Sequence, residues 1–286
     1  MTETRTTMEA LRMDGAQPVA AGQDLAHRRS NAAAAEIEVK ALTHRYAGAE
    51  GPILALQDVS LSVPSGHFVG LVGPSGCGKS SLLMMLAGLV TPSEGSISIM
   101  GRPVLGPAPE RVGVVFQEAS LLPWRTALDN VAFPLKLRGV PRAEREARAT
   151  ELLALVGLAG FERRYPHELS GGMKQRVAIA RGFCQDPPVL LMDEPFAALD
   201  EQTRMTLGDE LLRIWDRQRK TVVFVTHSLT EAVYLCDEVV VLSARPGRVL
   251  ERIAIDLPRP RTWEVMASAA FGELRERIWR LIRTTP

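Results

Sequence analysis

The chain is poor in cysteine, in unbalanced charge and in long apolar runs, and each shortage excludes something. Three cysteines, Cys77, Cys184 and Cys236, stand in 286 residues at no metal-type spacing, which excludes a disulfide framework and suits a reducing compartment. Lys and Arg total 34 against 33 Asp and Glu, so the formal net charge is +1 and no global basic field is present to hold nucleic acid. No stretch approaches the roughly 18 unbroken apolar residues of a membrane span. Work at a membrane would therefore be that of a peripheral subunit. Residues 1–35 are rich in Ala, Thr, Met and Arg but lack the short apolar core of a signal peptide. They read as a flexible N-terminal extension, and cytoplasmic residence is the default. Hydrophobic residues at 46% and charged residues at 23% give a globular balance. The length suits one large α/β domain with appendages, and no internal repeat is found.

Against those absences stand five short motifs, each present once. The first is Gly73-Pro74-Ser75-Gly76-Cys77-Gly78-Lys79-Ser80, which fits the phosphate-loop pattern G-x-x-x-x-G-K-[ST]. It follows an apolar strand-like run, Phe68 to Val72, and opens a helical run from Ser81 to Leu89, the setting that pattern requires. Glycines at 73, 76 and 78 let backbone N–H groups turn toward a polyanion, and the helix behind them offers its positive end. Lys79 adds a point charge for the β- and γ-phosphates of ATP, and the Ser80 hydroxyl is a hard oxygen ligand suited to Mg²⁺. Next come Gln117, then Leu169-Ser170-Gly171-Gly172-Met173, then the apolar strand Val189 to Met192 closed by Asp193 and Glu194, and last His227 after the run Val222 to Thr226. Asp193, at a strand end, suits a Mg²⁺ contact of the kind other phosphate-loop enzymes make. Glu194 sits one residue on, before Pro195, where it can face an attacking water.

Around the motifs the chain divides. Ile37, Val39 and Ala41 alternate with polar residues as on a half-buried strand, residues 48–52 read as a turn, and Val59, Leu61 and Val63 mark a second strand. Val112 to Phe116, Val189 to Met192, Val222 to Val225 and Val239 to Leu242 are short β-branched runs suited to buried parallel strands. Pro123, Pro134 and Pro141 punctuate a segment of different character, in which Ala143 to Val156 has helical spacing; residues 121–172 read as an inserted helical subdomain. The expected division is an extension over 1–35, a nucleotide-binding domain over 36–260 and a helical tail over 261–286. In that tail Phe271, Leu274, Ile278 and Leu281 recur at helical spacing among arginines. Packing back on the domain and a role at a membrane surface or partner are both open to it.

The ordered set of motifs resembles the nucleotide-binding subunit of an ATP-binding cassette (ABC) transporter, over about residues 37–250. Three finer runs resemble the importer subfamily for nitrate, sulfonates and taurine: Gln117 to Trp124, Asp193 to Asp200, and Ser243-Ala244-Arg245-Pro246-Gly247-Arg248. The resemblance implies an α/β phosphate-loop NTPase fold of the ABC type, with a helical subdomain and an antiparallel β subdomain. It implies ATP and Mg²⁺ as cofactors, Glu194 as general base, His227 on the γ-phosphate, and Gln117 reaching the metal and the water. It implies Tyr46 as the platform for adenine and Ser81 beside Ser80 at the phosphate site. Leu169 to Met173 is the family signature: Ser170 can cap a helix, and Gly171 and Gly172 expose its N–H groups. That makes a second anion site, and the economical use of it is a two-fold dimer in which each signature closes over the partner's ATP. The family usually ends this signature in Gln; Met173 departs from that, with Gln175 two positions later, a variant expected to affect closure little.

The reading is then an ATP-hydrolysing importer subunit, peripheral on the cytoplasmic face of the cell membrane. It would couple to a permease and indirectly to a solute-binding protein, with a small anionic or organic solute as cargo and no nucleic acid as partner. Trp124 lies where such proteins approach the permease, although ordinary packing also explains an aromatic there. The competing class is a soluble cassette ATPase of translation or nucleic-acid maintenance, which typically has two cassettes or a long coiled coil; neither is present. A nucleotide-regulated scaffold without turnover would lack the base, yet Glu194 and His227 are in place. Cys77, inside the phosphate loop and beside Lys79, reads either as a small residue filling a variable position or as a reactive thiol of lowered pKa.

Overall fold

The computed structural model describes residues 35–49, 51–197 and 199–284. The extension expected over 1–35 therefore lies outside them, save that Ala35 opens the first strand. Two sheets carry the architecture. In the smaller, β1 (Ala35–Tyr46) and β2 (Ile53–Pro64) form a hairpin, β4 (Glu94–Ile99) pairs along the other side of β1, and the short β5 (Arg102–Pro103) closes the edge. All pairs are antiparallel, in the order β2-β1-β4-β5.

The larger sheet has the order β10-β9-β3-β8-β7-β6. Its parallel strands are β3 (Phe68–Val72), β6 (Val112–Val115), β7 (Val189–Asp193), β8 (Thr221–Val225) and β9 (Glu238–Leu242), with β10 (Val249–Ala254) antiparallel at the edge. Successive residues of a strand point to opposite faces, and these strands are buried on both. Phe68, Leu190, Phe224 and Val241 join one core, whereas Val69, Leu191, Val223 and Leu242 join the other. A strand covered on both sides loses its polar alternation, which is why these runs read as continuous Val and Leu.

The second core lies between the parallel sheet, the antiparallel sheet and α1 (Lys79–Leu86). The first is filled by α2 (Ala127–Leu137), α3 (Arg142–Leu155), α4 (Gly171–Cys184), α5 (Glu201–Gln218), α6 (Leu229–Leu235) and α7 (Ala269–Thr284). Helices α2, α3 and α4 pack on one another as a helical unit. The loop ahead of α2 is held by Asn130, which is fully buried yet fully bonded. Its Oδ1 accepts the Leu122 N–H at 2.7 Å, and its Nδ2 donates to the carbonyls of Leu122, Arg125 and Thr126. Trp124, on that fixed loop, is 71% exposed, so it is not a packing residue. The tail packs back on the domain: Phe271 and Ile278 of α7 are buried in the first core. Arg261, also buried, donates to the carbonyls of Val233, Tyr234 and Cys236 at the end of α6.

Because the strands run parallel, their C-terminal ends share one edge, the place where an open α/β sheet holds its ligand. Gly73 follows β3, Gln117 follows β6, Asp193 and Glu194 close β7, His227 follows β8, and Ser243 to Arg248 follow β9. Motifs scattered over some 170 positions of sequence thus leave the sheet side by side.

Candidate functional site

The phosphate loop spans the gap between β3 and α1. Gly78 ends it at φ +101°, and a β-carbon there would lie 2.6 Å from Leu56 Cδ2, so both backbone and space demand glycine. Helix α1 consequently begins at Lys79, two residues earlier than its apolar spacing suggests. Lys79 is buried, and its Nζ donates to the carbonyls of Gly73 at 2.9 Å and Pro74 at 3.0 Å. The loop is therefore wrapped around its own ammonium group.

Above it opens a cleft of about 420 Å³, lined by Tyr46, Ile53, Ala55, Ser75, Gly76, Gly78, Lys79, Ser80, Ser81, Glu194 and Arg245. The size and the mixture of apolar wall and convergent polar groups suit a nucleotide-sized ligand. Tyr46 is held from two sides: its hydroxyl donates to Ser81 Oγ at 2.9 Å, and its ring meets His44 edge-on at 4.5 Å. It stays 40% exposed, leaving ring surface free to stack on a base.

At the end of β7 two carboxylates take different surroundings. Asp193 is buried, and burial pushes its carboxyl above the ordinary aspartate value, while the Ser80 hydroxyl, donating to Oδ1 at 3.0 Å, acts against that rise. Glu194 follows in the left-handed region at φ +44°, a conformation costing about 1 kcal/mol for a residue with a β-carbon. Its N–H donates to the Val225 carbonyl at 2.9 Å, which fixes the bend and turns the side chain into the cleft. There its Oε2 lies 3.1 Å from His227 Nδ1. A carboxylate braced by an imidazole and facing a phosphate loop can take a proton from a water poised on a terminal phosphate.

The remaining sequence-predicted residues lie farther from the cleft. Gln117 is exposed and does not line it; it follows Val115, whose partner across the ladder is Met192, so it emerges beside Asp193. Gln175 of α4 is buried and donates to the Phe116 carbonyl at 3.2 Å, tying the signature helix to the backbone just ahead of Gln117. Ser170 caps α4, its Oγ accepting the Met173 N–H at 3.3 Å. That contact uses only the backbone of residue 173, so methionine serves there. Ser170 and Gly171 are exposed, and neither they nor Gly172 line the cleft of their own chain. Gly73 and Pro74 contribute carbonyls to Lys79 rather than cleft surface.

At Cys77 the fold decides between the two readings the sequence leaves open. Its side chain turns inward, fully buried in the second core, and burial pushes the thiol up, outweighing the Lys79 charge 3.8 Å away. The reactive-thiol idea fails because sequence proximity to a cation does not reveal desolvation. Cys184, pushed up to about 11, and Cys236, also raised by burial, are alike. None of the three should react with an aromatic disulfide reagent at pH 8 in the folded protein, and all three should titrate on denaturation. A thiol that reacts in the native state would contradict this burial.

Ile53, Ala55 and Arg245 of the cleft wall were missed from sequence as site residues. Nothing local marks the first two; Arg245 needed the knowledge that β9 lies beside β3.

The donor set fits Mg²⁺. Ser80 and Asp193 bring two hard oxygens together beside the phosphate loop, and no cluster of three or more His, Cys, Asp or Glu suited to a metal occurs among the described residues. That is the pattern of an ion held by few protein ligands together with substrate phosphates.

Comparison with known proteins places the chain. A family model described as ABC transporter matches residues 56–197. An ABC transporter ATP-binding protein of Methanocaldococcus jannaschii is 50% identical over 87% of this chain and 91% of its own length. The taurine import ATP-binding protein TauB of Pseudomonas entomophila is 52% identical over 77% of this chain and 84% of its own. Among solved structures, a dimeric ATP-binding cassette in a post-hydrolysis state bound to ADP and Pi superposes with a TM-score of 0.71 at 33% identity, covering 78% of this chain and all of that one.

Proposed function

This chain belongs to the ABC transporter family, and from that premise we propose that it is the motor subunit of an importer, working as a two-fold dimer beneath a separate permease. It is an ABC-type ATPase that uses ATP with Mg²⁺. Tyr46 stacks on adenine, a contact worth about 1–3 kcal/mol. The loop from Gly73 to Ser81 wraps the phosphates, with Cys77 contributing its backbone alone. Ser80, Asp193 and Gln117 would hold the Mg²⁺, which when bound would offset phosphate charge. Glu194 takes the proton of the attacking water, and His227 orients Glu194 and contacts the γ-phosphate. Ser170, Gly171 and Gly172 serve the nucleotide of the second copy.

The observation that carries this reading is the placement of the two anion-holding elements. The cleft holds the phosphate loop and Glu194, while the signature stands exposed away from it. A dimer joins them. The solute is of the nitrate, sulfonate or taurine type, supported by the taurine import relatives at about half identity over most of the chain. Among the described residues no helix is long and apolar enough to cross a membrane, and the proposed route for the solute is a separate permease. The exposed Trp124, on its Asn130-braced loop, is the anchor for it. The proposed place of work is the cytoplasmic face of the cell membrane.

Gentle detergent extraction of the tagged chain, followed by mass spectrometry, tests this. A polytopic membrane protein should co-purify, and a solute-binding protein alongside it would supply the ligand for cargo trials. Ribosomes or nucleic-acid machinery in a preparation that preserves membrane complexes would move the chain to the soluble class of cassette ATPases.

A further inference from the structure

The turn joining β9 to β10 is built to press on the phosphate loop. Strand β9 runs parallel to β3, with Val72 beside Val241, so the turn leaves the sheet where the loop does. Gly247 donates its N–H to the Ala55 carbonyl at 2.9 Å, and its own carbonyl accepts the Gln57 N–H at 3.0 Å. A β-carbon at Gly247 would lie 2.1 Å from the Cys77 carbonyl oxygen, so only glycine permits this approach. Ser243 Oγ accepts the Arg248 N–H at 2.9 Å and donates to the carbonyls of Ala244 and Pro246, tying the two arms together.

At the tip sits Arg245, exposed and on the cleft wall with Tyr46 and Lys79. Its Nε donates to the Gly76 carbonyl at 3.2 Å, and its Nη2 stands 3.3 Å from the point a β-carbon on Gly76 would occupy. No protein group among the described residues accepts from its two Nη atoms. The guanidinium is thus tethered over the loop by one N–H with the others open to the cleft.

We propose that Arg245 is a nucleotide-binding residue, holding the phosphates of ATP from the rim of the cleft while Lys79 holds them from the floor. This rests on the reading of the cleft as the ATP site. The charges favour it: Lys79 already shares its ammonium with two carbonyls, and the other charged residue on the wall is Glu194, of the same sign as the triphosphate. A planar guanidinium with free N–H groups matches phosphate oxygens in pairs. Pinning the turn does not require it, because Gly247, Ser243 and the Arg248 bond to Gln57 Oε1 at 2.6 Å already do so.

The test is titration of the full chain with ATP and with ADP, comparing wild type, Arg245→Ala, Arg245→Lys and Arg248→Ala. Arg245→Ala should raise the Kd for ATP about 10-fold, the loss expected for a charge-assisted hydrogen bond, and raise that for ADP less. Arg245→Lys should recover part of the affinity. The gap between wild type and Arg245→Ala should narrow as salt is raised, since an exposed charge is screened. Arg248→Ala, which cuts a contact of the turn outside the cleft, should stay within about two-fold of wild type. An Arg245→Ala protein within two-fold of wild type would overturn the proposal, as would an Arg248→Ala loss as large, which would trace the effect to turn geometry. Wild type that binds no ATP would overturn the cleft reading and the proposal together.

Discussion

Glu194→Gln should abolish steady-state phosphate release while leaving ATP binding intact. Gln keeps the size and hydrogen-bonding reach of Glu but cannot take a proton, and a positioned general base contributes about 10²–10⁴-fold in rate. The fold should tolerate the change. The left-handed bend at residue 194 is held by backbone, through the Val225 carbonyl, and by the residues around it rather than by the carboxylate. Nucleotide binding should survive because the contacts proposed to hold ATP come from Tyr46, the phosphate loop and Arg245, which the substitution leaves in place. The check is phosphate release at saturating MgATP together with nucleotide titration. A variant that still turns over within ten-fold of wild type would remove Glu194 from the base role.

Ser170→Arg is the second large effect, and it separates binding from closure. Removing the Ser170 cap costs α4 about 1 kcal/mol, because one N–H at an exposed helix end passes to water. Such a loss is small beside the stability of a domain with two filled cores. The arginine instead places bulk and positive charge on the surface that meets the partner's nucleotide in the proposed dimer. ATP should bind the variant nearly as well as wild type, since the signature does not line its own chain's cleft. Hydrolysis should fall by at least about 10²-fold, as for other losses of a group that acts in the transition state. Unimpaired hydrolysis would mean that one chain completes its own site.

Much of this was legible in the sequence because the chemistry is written in loops at strand ends, where side-chain type is constrained by function rather than by packing. The phosphate loop declared itself through its glycines and lysine, and the central strands through Val-rich runs buried on both faces. The helical spacing over Ala143 to Val156 marked α3, whereas α4, which packs with it, lies almost wholly beyond the segment 121–172. Strands β4 and β10 were not legible: Glu94-Gly95-Ser96 opens one, and Glu251 and Arg252 occupy the other, an edge strand with one face in water. Asn130 could not be recognised as the brace of the Trp124 loop, since its four hydrogen bonds depend on the fold of that loop. Cys77 stayed open between a reactive thiol and a small filler because sequence gives its neighbours along the chain but not the core beneath it. Arg245 was visible as part of a run resembling importers, yet its place over Gly76 follows from sheet order, which juxtaposes β9 and β3 across 169 positions between Gly76 and Arg245.

The central claim is that each nucleotide site is completed by a second copy of the chain. It is tested most directly by the solution mass of the Glu194→Gln protein, measured by light scattering with and without ATP. The account predicts a monomer without nucleotide, a dimer at saturating ATP that outlasts the measurement, and a return to monomer when Ser170→Arg is added. A Glu194→Gln protein that binds ATP yet stays monomeric, or dimerises equally well with Ser170→Arg, would contradict it.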